Sequence, residues 1–254
     1  MADKLLDVNL IVATTKNGNY INIAELSANS VLHKNHFEYI TNGSPVLFQK
    51  SVLPDMKELP FRNMNAIVLD SKSPDSGVSE HMRDHGSYWM FGNTAPYNVP
   101  LHNALDFLDT GLIKFDKVFI VGDPAFCYHA LIMTQPYMRL QNKDRKPLVD
   151  GIYLATVLDE NYNGPAFPDE AKSIFAKQFY KAGEKWFHLY DSNKGYPVYI
   201  QAKNNEYDEN GKKTTGDYME VNGKILDGDL TINPQDKRFD LADFFLFRRK
   251  QDQK

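Results

Sequence analysis

Residues 117–133 read KVFIVGDPAFCYHALIM, and the fold class turns on this stretch. Lys117 to Val121 is a short, nearly continuous apolar run, which predicts a buried strand. Gly122 and Asp123 interrupt it. Pro124 stands where helices favour proline, in the first turn, and an apolar helix continues through Met133. A strand that ends in a turn and opens a helix is one half of a crossover unit in a parallel sheet.

The same alternation recurs on both sides. Residues 8–16, VNLIVATTK, predict a buried strand stopped at Lys16-Asn17-Gly18-Asn19. Leu32, His33, His36, Phe37 and Ile40 recur at helical spacing between Asn29 and Asn42, and Asn42-Gly43 ends that helix. Residues 45–48 and 66–69 predict further strands, 71–83 a polar, turn-rich segment, and 88–91 another strand. Pro100 opens a short helix with Leu101, Leu105 and Leu108 on one face. The expected class is α/β, a mixed and mainly parallel central sheet covered by helices. In such sheets ligands sit beyond the carboxyl ends of the strands. Those ends are Thr14-Thr15, Phe48-Gln49-Lys50, Asp70-Ser71 and Gly122-Asp123.

The last hundred residues differ. Residues 151–157, 186–190, 198–200 and 244–247 predict strands, and Asn210-Gly211 and Asn222-Gly223 favour tight hairpin turns. Extra C-terminal β-hairpins are therefore expected. No repeat and no linker forces a domain cut, so 1–254 reads as one domain.

Composition narrows the function classes. The chain has 254 residues, a net charge of −4, 42% hydrophobic residues and one cysteine, Cys127. That balance argues against a general nucleic-acid surface, and one cysteine excludes an intrachain disulfide framework. The opening MADKLLDVNL lacks the apolar core of a secretory leader, and no stretch reaches the length of a membrane span. A cytoplasmic protein is expected. The seven histidines form no ligand cluster, so no metal site is expected. Neither a Gly-x-Ser-x-Gly elbow nor a phosphate loop ending in Gly-Lys-Ser/Thr occurs.

The candidate site residues follow from position. The backbone N–H groups of Gly122-Asp123-Pro124-Ala125 suit a phosphate or pyrophosphate. The competing reading is a plain strand–helix turn capped by Asp123. Lys50, Ser51 and Ser71 follow strand ends and offer charge or hydroxyl donors to a phosphate. His33 and Phe37 stand one helical turn apart, a proton donor beside an aromatic that stacks on flat heterocycles; the competing reading is two core residues. Arg62 suits a carboxylate, or else an ordinary surface ion pair.

Together these segments resemble dihydrofolate reductase. Residues 10–18 resemble that family's first strand and the entry to its mobile loop. Leu59-Pro60-Phe61-Arg62 before 66–69 resembles its Leu-Pro-x-Arg segment, and 118–128 its double-glycine segment ending in tyrosine, in a Pro-Ala form closest to phage-encoded members. Ile152–Thr156 with Phe167-Pro168-Asp169 resembles a later strand and its Phe-Pro element. The resemblance implies an eight-stranded sheet, four helices, and insertions at about 134–147 and 192–235. It implies hydride transfer from NADPH to dihydrofolate. His33 falls at the position of the catalytic carboxylate, Phe37 at the folate-packing aromatic, and Arg62 at the arginine for the glutamate carboxylate. Ala13 falls at the pterin and nicotinamide contact. Lys50, Ser51 and Ser71 fall near the cofactor phosphates, with Gly122, Asp123 and Tyr128 along the cofactor.

The departures are chemical. His33 cannot accept two pterin N–H groups as a carboxylate does. Asp123 replaces the second glycine, Gln49 the glycine before the basic residue, and Ala155 a hydroxyl. Residues 22–30 hold no Leu-Pro-Trp, although Glu25 offers a substitute acid. Three readings stand: a divergent pteridine reductase using NADPH; a non-catalytic relative, without cofactor, that binds a folate-like ligand or self-associates or binds a protein through the added hairpins, in a host cytoplasm if phage-encoded; and a riboflavin-pathway pyrimidine reductase.

Overall fold

The computed structural model describes residues 6–29, 31–53, 65–70, 78–83, 86–92, 101–102, 104–105, 108, 115–134, 146–157, 162–188, 200–217 and 242–250. Among them the strands are β1 (Asp7–Thr15), β2 (Tyr20–Ile21), β3 (Pro45–Gln49), β4 (Asn65–Asp70), β5 (Val78–Arg83) and β6 (Gly86–Gly92). There follow β7 (Lys117–Val121), β8 (Gly151–Val157), β9 (Phe179–His188), β10 (Ile200–Tyr207), β11 (Lys213–Asp217) and β12 (Ala242–Arg249). The helices are α1 (Ile23–Asn29), α2 (Val31–Thr41), α3 (Pro124–Ile132) and α4 (Asp169–Gln178), with helical residues also at 101–102, 104–105 and 108.

One sheet joins all twelve strands, in the order β11-β10-β9-β12-β8-β1-β7-β3-β4-β6-β5, with β2 beside β1. Its centre is parallel: β8, β1, β7, β3, β4 and β6 run the same way. Both flanks are antiparallel, β5 on one side and β12, β9, β10 and β11 on the other. The expected α/β class is observed, with twelve strands among the described residues rather than eight.

Two of the additions were not anticipated. β5 arises from a stretch that reads as polar turn, where no apolar alternation marks a strand. β2 is two residues long. The β10–β11 hairpin does follow the Asn210-Gly211 signal: Gly211 takes φ 76°, a conformation open to glycine at little cost.

Strand alternation sorts the apolar side chains into two cores. Leu10, Val12, Leu47, Val118, Ile120 and Ile152 face α3, α4 and the helical residues Leu101, Ala104, Leu105 and Leu108. Ile11, Ala13, Val46, Phe48, Phe119, Val121 and Ala155 face α1 and α2. Helix α4 escapes the strand-based reading, although its sequence carries the signal. Asp169 and Glu170 occupy the first turn, Lys177 the last, and Ala171, Ile174 and Phe175 recur at helical spacing.

At the amino end of β1, Arg248 reaches across β8. Its Nη1 donates to Asp7 Oδ1 at 3.0 Å and to Asn9 Oδ1 at 3.1 Å. Gly151 lies under this clasp. A side chain there would meet the Asn9 amide and the Arg248 guanidinium, so any larger residue must displace them.

Candidate functional site

The carboxyl ends of β3 and β7 meet in register, Phe48 opposite Val121, so the next residues, Gln49 and Gly122-Asp123, face each other. Gln49 is 4% exposed. Its carboxamide grips Asp123 twice: Nε2 donates to Asp123 Oδ2 at 2.9 Å, and Oε1 accepts from the Asp123 backbone N–H at 2.8 Å. Asp123 Oδ1 in turn accepts from Phe126 N at 2.8 Å, capping α3. Pro124 has no N–H to offer. The free donors that make a helix N-terminus an anion site are thus largely satisfied from within. Gly122 serves close packing, since a Cβ there would strike the Phe126 ring and sit 3.0 Å from the Gln49 carboxamide.

Beneath this clamp, Cys127 is buried and its thiol contacts the Gly122 carbonyl at 3.4 Å. Burial, reinforced by the Asp123 charge, pushes the thiol up to about 12, so it is neutral and unreactive near pH 7. Tyr20 packs edge-on to Phe167 at 5.8 Å, and burial pushes its phenol well above the usual range.

His33 and Phe37 lie on the other side of the sheet, on α2. Both are 1% exposed. Phe37 stacks on Phe48 at 6.2 Å. Phe244 from β12 covers the histidines, with ring centroids 5.4 Å from His33 and 3.7 Å from His36. The void left between Ile11, His33, His36, Phe37, Ala155 and Phe244 is about 10 Å³. That is room for at most one water, against roughly 300–1,000 Å³ for a small-molecule pocket. Ala13 pairs with Ala155 in register and is part of this same core.

The candidate residues therefore divide. His33, Phe37 and Ala13 come together in a filled interior. Gln49, Gly122 and Asp123 form a closed strand-end clamp. Lys50 and Ser51 follow it as exposed residues of a single 3₁₀ turn. Tyr128 is half-buried on α3 against the opposite core. Glu25 is exposed in the first turn of α1. Arg62 and Ser71 lie outside the described residues. Sequence reasoning missed Gln49 as the partner of Asp123. The signal was there, because two unusual residues occupy neighbouring strand ends. It also missed Phe244 as the cover over His33.

Two larger cavities flank these features. One, of about 630 Å³, lies between α2 and the β9–β11 extension and includes Tyr39, Tyr153, Glu184 and Tyr207. On its wall Glu184 accepts from Lys181 Nζ at 2.6 Å, Tyr207 Oη at 2.7 Å and Asn205 Nδ2 at 2.8 Å. Burial opposes ionisation there, but these three donors outweigh it and hold the carboxyl down at about 2. The other cavity, of about 430 Å³, lies on the opposite face under α4. Among the described residues no group of three metal-ligating side chains converges, and no helix is long and apolar enough to cross a membrane.

No protein-family profile and no curated protein matches the sequence. The architecture does find a counterpart. A dihydrofolate reductase from Enterococcus faecalis, complexed with NADP(H) and RAB-propyl, superposes with a TM-score of 0.53 at 12% identity, over 96% of this chain and 97% of that one. The fold is that of dihydrofolate reductase. The α2 face and the strand-end turn after β7 are both packed against this chain's own side chains.

Proposed function

We propose that this chain is a non-catalytic protein of dihydrofolate-reductase-like fold, used for binding or assembly rather than hydride transfer. The observation that carries the reading is the 10 Å³ void beside His33 and Phe37. A fused bicyclic ring does not fit there while Phe244 and His36 hold their places. The Gln49–Asp123 clamp supports it from the cofactor side: the backbone N–H of Asp123 already has its acceptor, and the Asp123 carboxylate brings negative charge to where a pyrophosphate would lie.

Assembly runs through the C-terminal addition. Among the described residues β11 ends the strand order, and Lys213 and Thr214 on it are exposed. An edge strand presents unpaired backbone groups that a second chain extends by strand addition. The single-domain organisation over 1–254, the insertions at about 134–147 and 192–235, and a cytoplasmic setting, in a phage host if the gene is phage-borne, belong to this reading.

The likeness to a reductase bound to NADP(H) favours a second reading, a divergent reductase in which NADPH reduces dihydrofolate or another pteridine. In it His33 would donate the proton, Phe37 and Ala13 would contact the substrate, and Arg62 would hold its carboxylate. Lys50, Ser51, Ser71, Gly122, Asp123 and Tyr128 would line the cofactor. Titration of the full chain with NADPH, followed by fluorescence, separates the two. The non-catalytic reading expects no saturable binding up to 100-fold above the roughly micromolar affinities usual for working enzymes. Saturable binding together with dihydrofolate-dependent oxidation overturns it. Deleting residues 204–220 tests the assembly arm: the solution mass falls from that of an assembly to that of a monomer, and a number of chains per particle unchanged by the deletion, a monomer before and after included, argues against β10–β11 as the contact.

A further inference from the structure

The cavity under α4 belongs to neither reading above. It lies on the sheet face opposite His33 and Phe37, between β1, β8, α3 and α4. Its walls are Leu10, Val12, Leu131, Ile152, Leu154 and Phe175, with the neutral thiol of Cys127 among them. Its volume, about 430 Å³, falls within the range of small-molecule pockets, roughly 300–1,000 Å³. The cavity opens to solvent, and the water that fills it finds few polar partners along these walls, so an apolar ligand that displaces that water gains by burial.

The rim has the opposite character. Lys16, Asn17 and Gly18, where the chain leaves β1, and Lys172 of α4 also line the cavity, and both lysines are exposed, which puts their charges at its solvent end. Lys16 is exposed and has no ion-pair partner among the described residues. The ion pair of Lys172 is with its helix neighbour Asp169, at 3.0 Å, and that aspartate is itself 93% exposed. Such a surface pair holds little energy and yields readily to a competing anion. Gly18, at φ 80° and with open space where a Cβ would stand, keeps the turn beside Lys16 clear. In a chain of net charge −4, two lysines at the mouth of an apolar cavity select for a ligand with an apolar body and one anionic end.

We propose that the cavity between α3, α4 and the β1–β8 strands binds a small hydrophobic carboxylate, its hydrocarbon portion inside and its carboxylate between Lys16 and Lys172. The cavity is independent of hydride chemistry, so the outcome of the NADPH titration does not bear on it. Calorimetric titration of the full chain with decanoate, and with decan-1-ol as the uncharged control, tests it. The expected result is one site per chain with a Kd below 100 µM and at least tenfold weaker binding of the alcohol. Leu154→Trp fills the cavity and abolishes the binding. Lys16→Glu combined with Lys172→Glu, both on the surface, where the like charge set beside Asp169 costs only about 0.2–0.5 kcal/mol, weakens decanoate at least tenfold and leaves decan-1-ol unchanged. No saturable heat up to 1 mM decanoate overturns the proposal. So does equal affinity for acid and alcohol, or undiminished binding in the charge-reversed protein.

Discussion

Removing the Asp123 side chain tests the strand-end clamp most directly. Asp123→Ala deletes the cap of α3, which costs about 1 kcal/mol. It also strands the Gln49 Nε2 donor, which is buried and has the Asp123 carboxylate as its acceptor at 2.9 Å; an unsatisfied buried donor costs about 1–3 kcal/mol. The expected loss is about 2–4 kcal/mol, or a fall in Tm of roughly 4–16 °C for a chain of this size. Gln49→Ala strands the Asp123 N–H, whose acceptor is the Gln49 carboxamide at 2.8 Å, and costs a similar amount. The double variant does not suffer both penalties in full, because each single change already leaves the other partner idle. Urea unfolding of the four proteins should therefore give a coupling energy of about 1–2 kcal/mol. Additivity within about 0.5 kcal/mol would refute the reasoning, since it would mean that the two side chains do not share these bonds.

Three further perturbations have defined outcomes. Phe244→Ala uncovers His33 and His36 and should cost about 3–5 kcal/mol in urea unfolding, as for other buried aromatics; a loss under about 1 kcal/mol would contradict its place in the core. Gly151→Ala pushes a methyl group against the Asn9 carboxamide oxygen, its nearest neighbour, and should destabilise by about 1–3 kcal/mol, a cost that largely disappears in an Asn9→Ala background. Glu184→Gln tests the buried carboxylate by pH: with its carboxyl lowered from 4.5 to about 2, its stabilisation is full above pH 4.5 and is lost as the pH falls toward 2. The gap in unfolding midpoint between wild type and variant should therefore close across that acid window, and a constant gap down to pH 2 would contradict the assignment.

The parallel centre of the sheet is legible in the sequence because its strands are buried on both faces. Residues 8–15, 45–48, 66–69, 117–121 and 151–157 are nearly continuous apolar runs, and polar or glycine-rich turns end them. β5 was illegible for the opposite reason: Ser79, Glu80, His81 and Arg83 carry no alternation, and the strand exists through pairing with β6. Helix α4 was readable from Ala171, Ile174 and Phe175 but was masked by the Phe-Pro-Asp motif before it. The site was legible as a set of positions and not as a state. Asp123 reads equally as cap or obstacle until Gln49 is seen to face it, and that meeting depends on the β3–β7 register. His33 and Phe37 announce a pair, but whether a cleft lies before them depends on Phe244, more than two hundred residues away.

β12 lies between β8 and β9, yet it follows both in the chain. During synthesis the ribosome delivers β9 about 60 residues before β12 is complete, an interval of roughly 3–12 s at ordinary translation speeds. For that time the nascent chain carries two raw strand margins with a gap between them that nothing yet fills. Whatever guards this protein from pairing with its polysome neighbours must act in those seconds, before the Arg248 latch shuts.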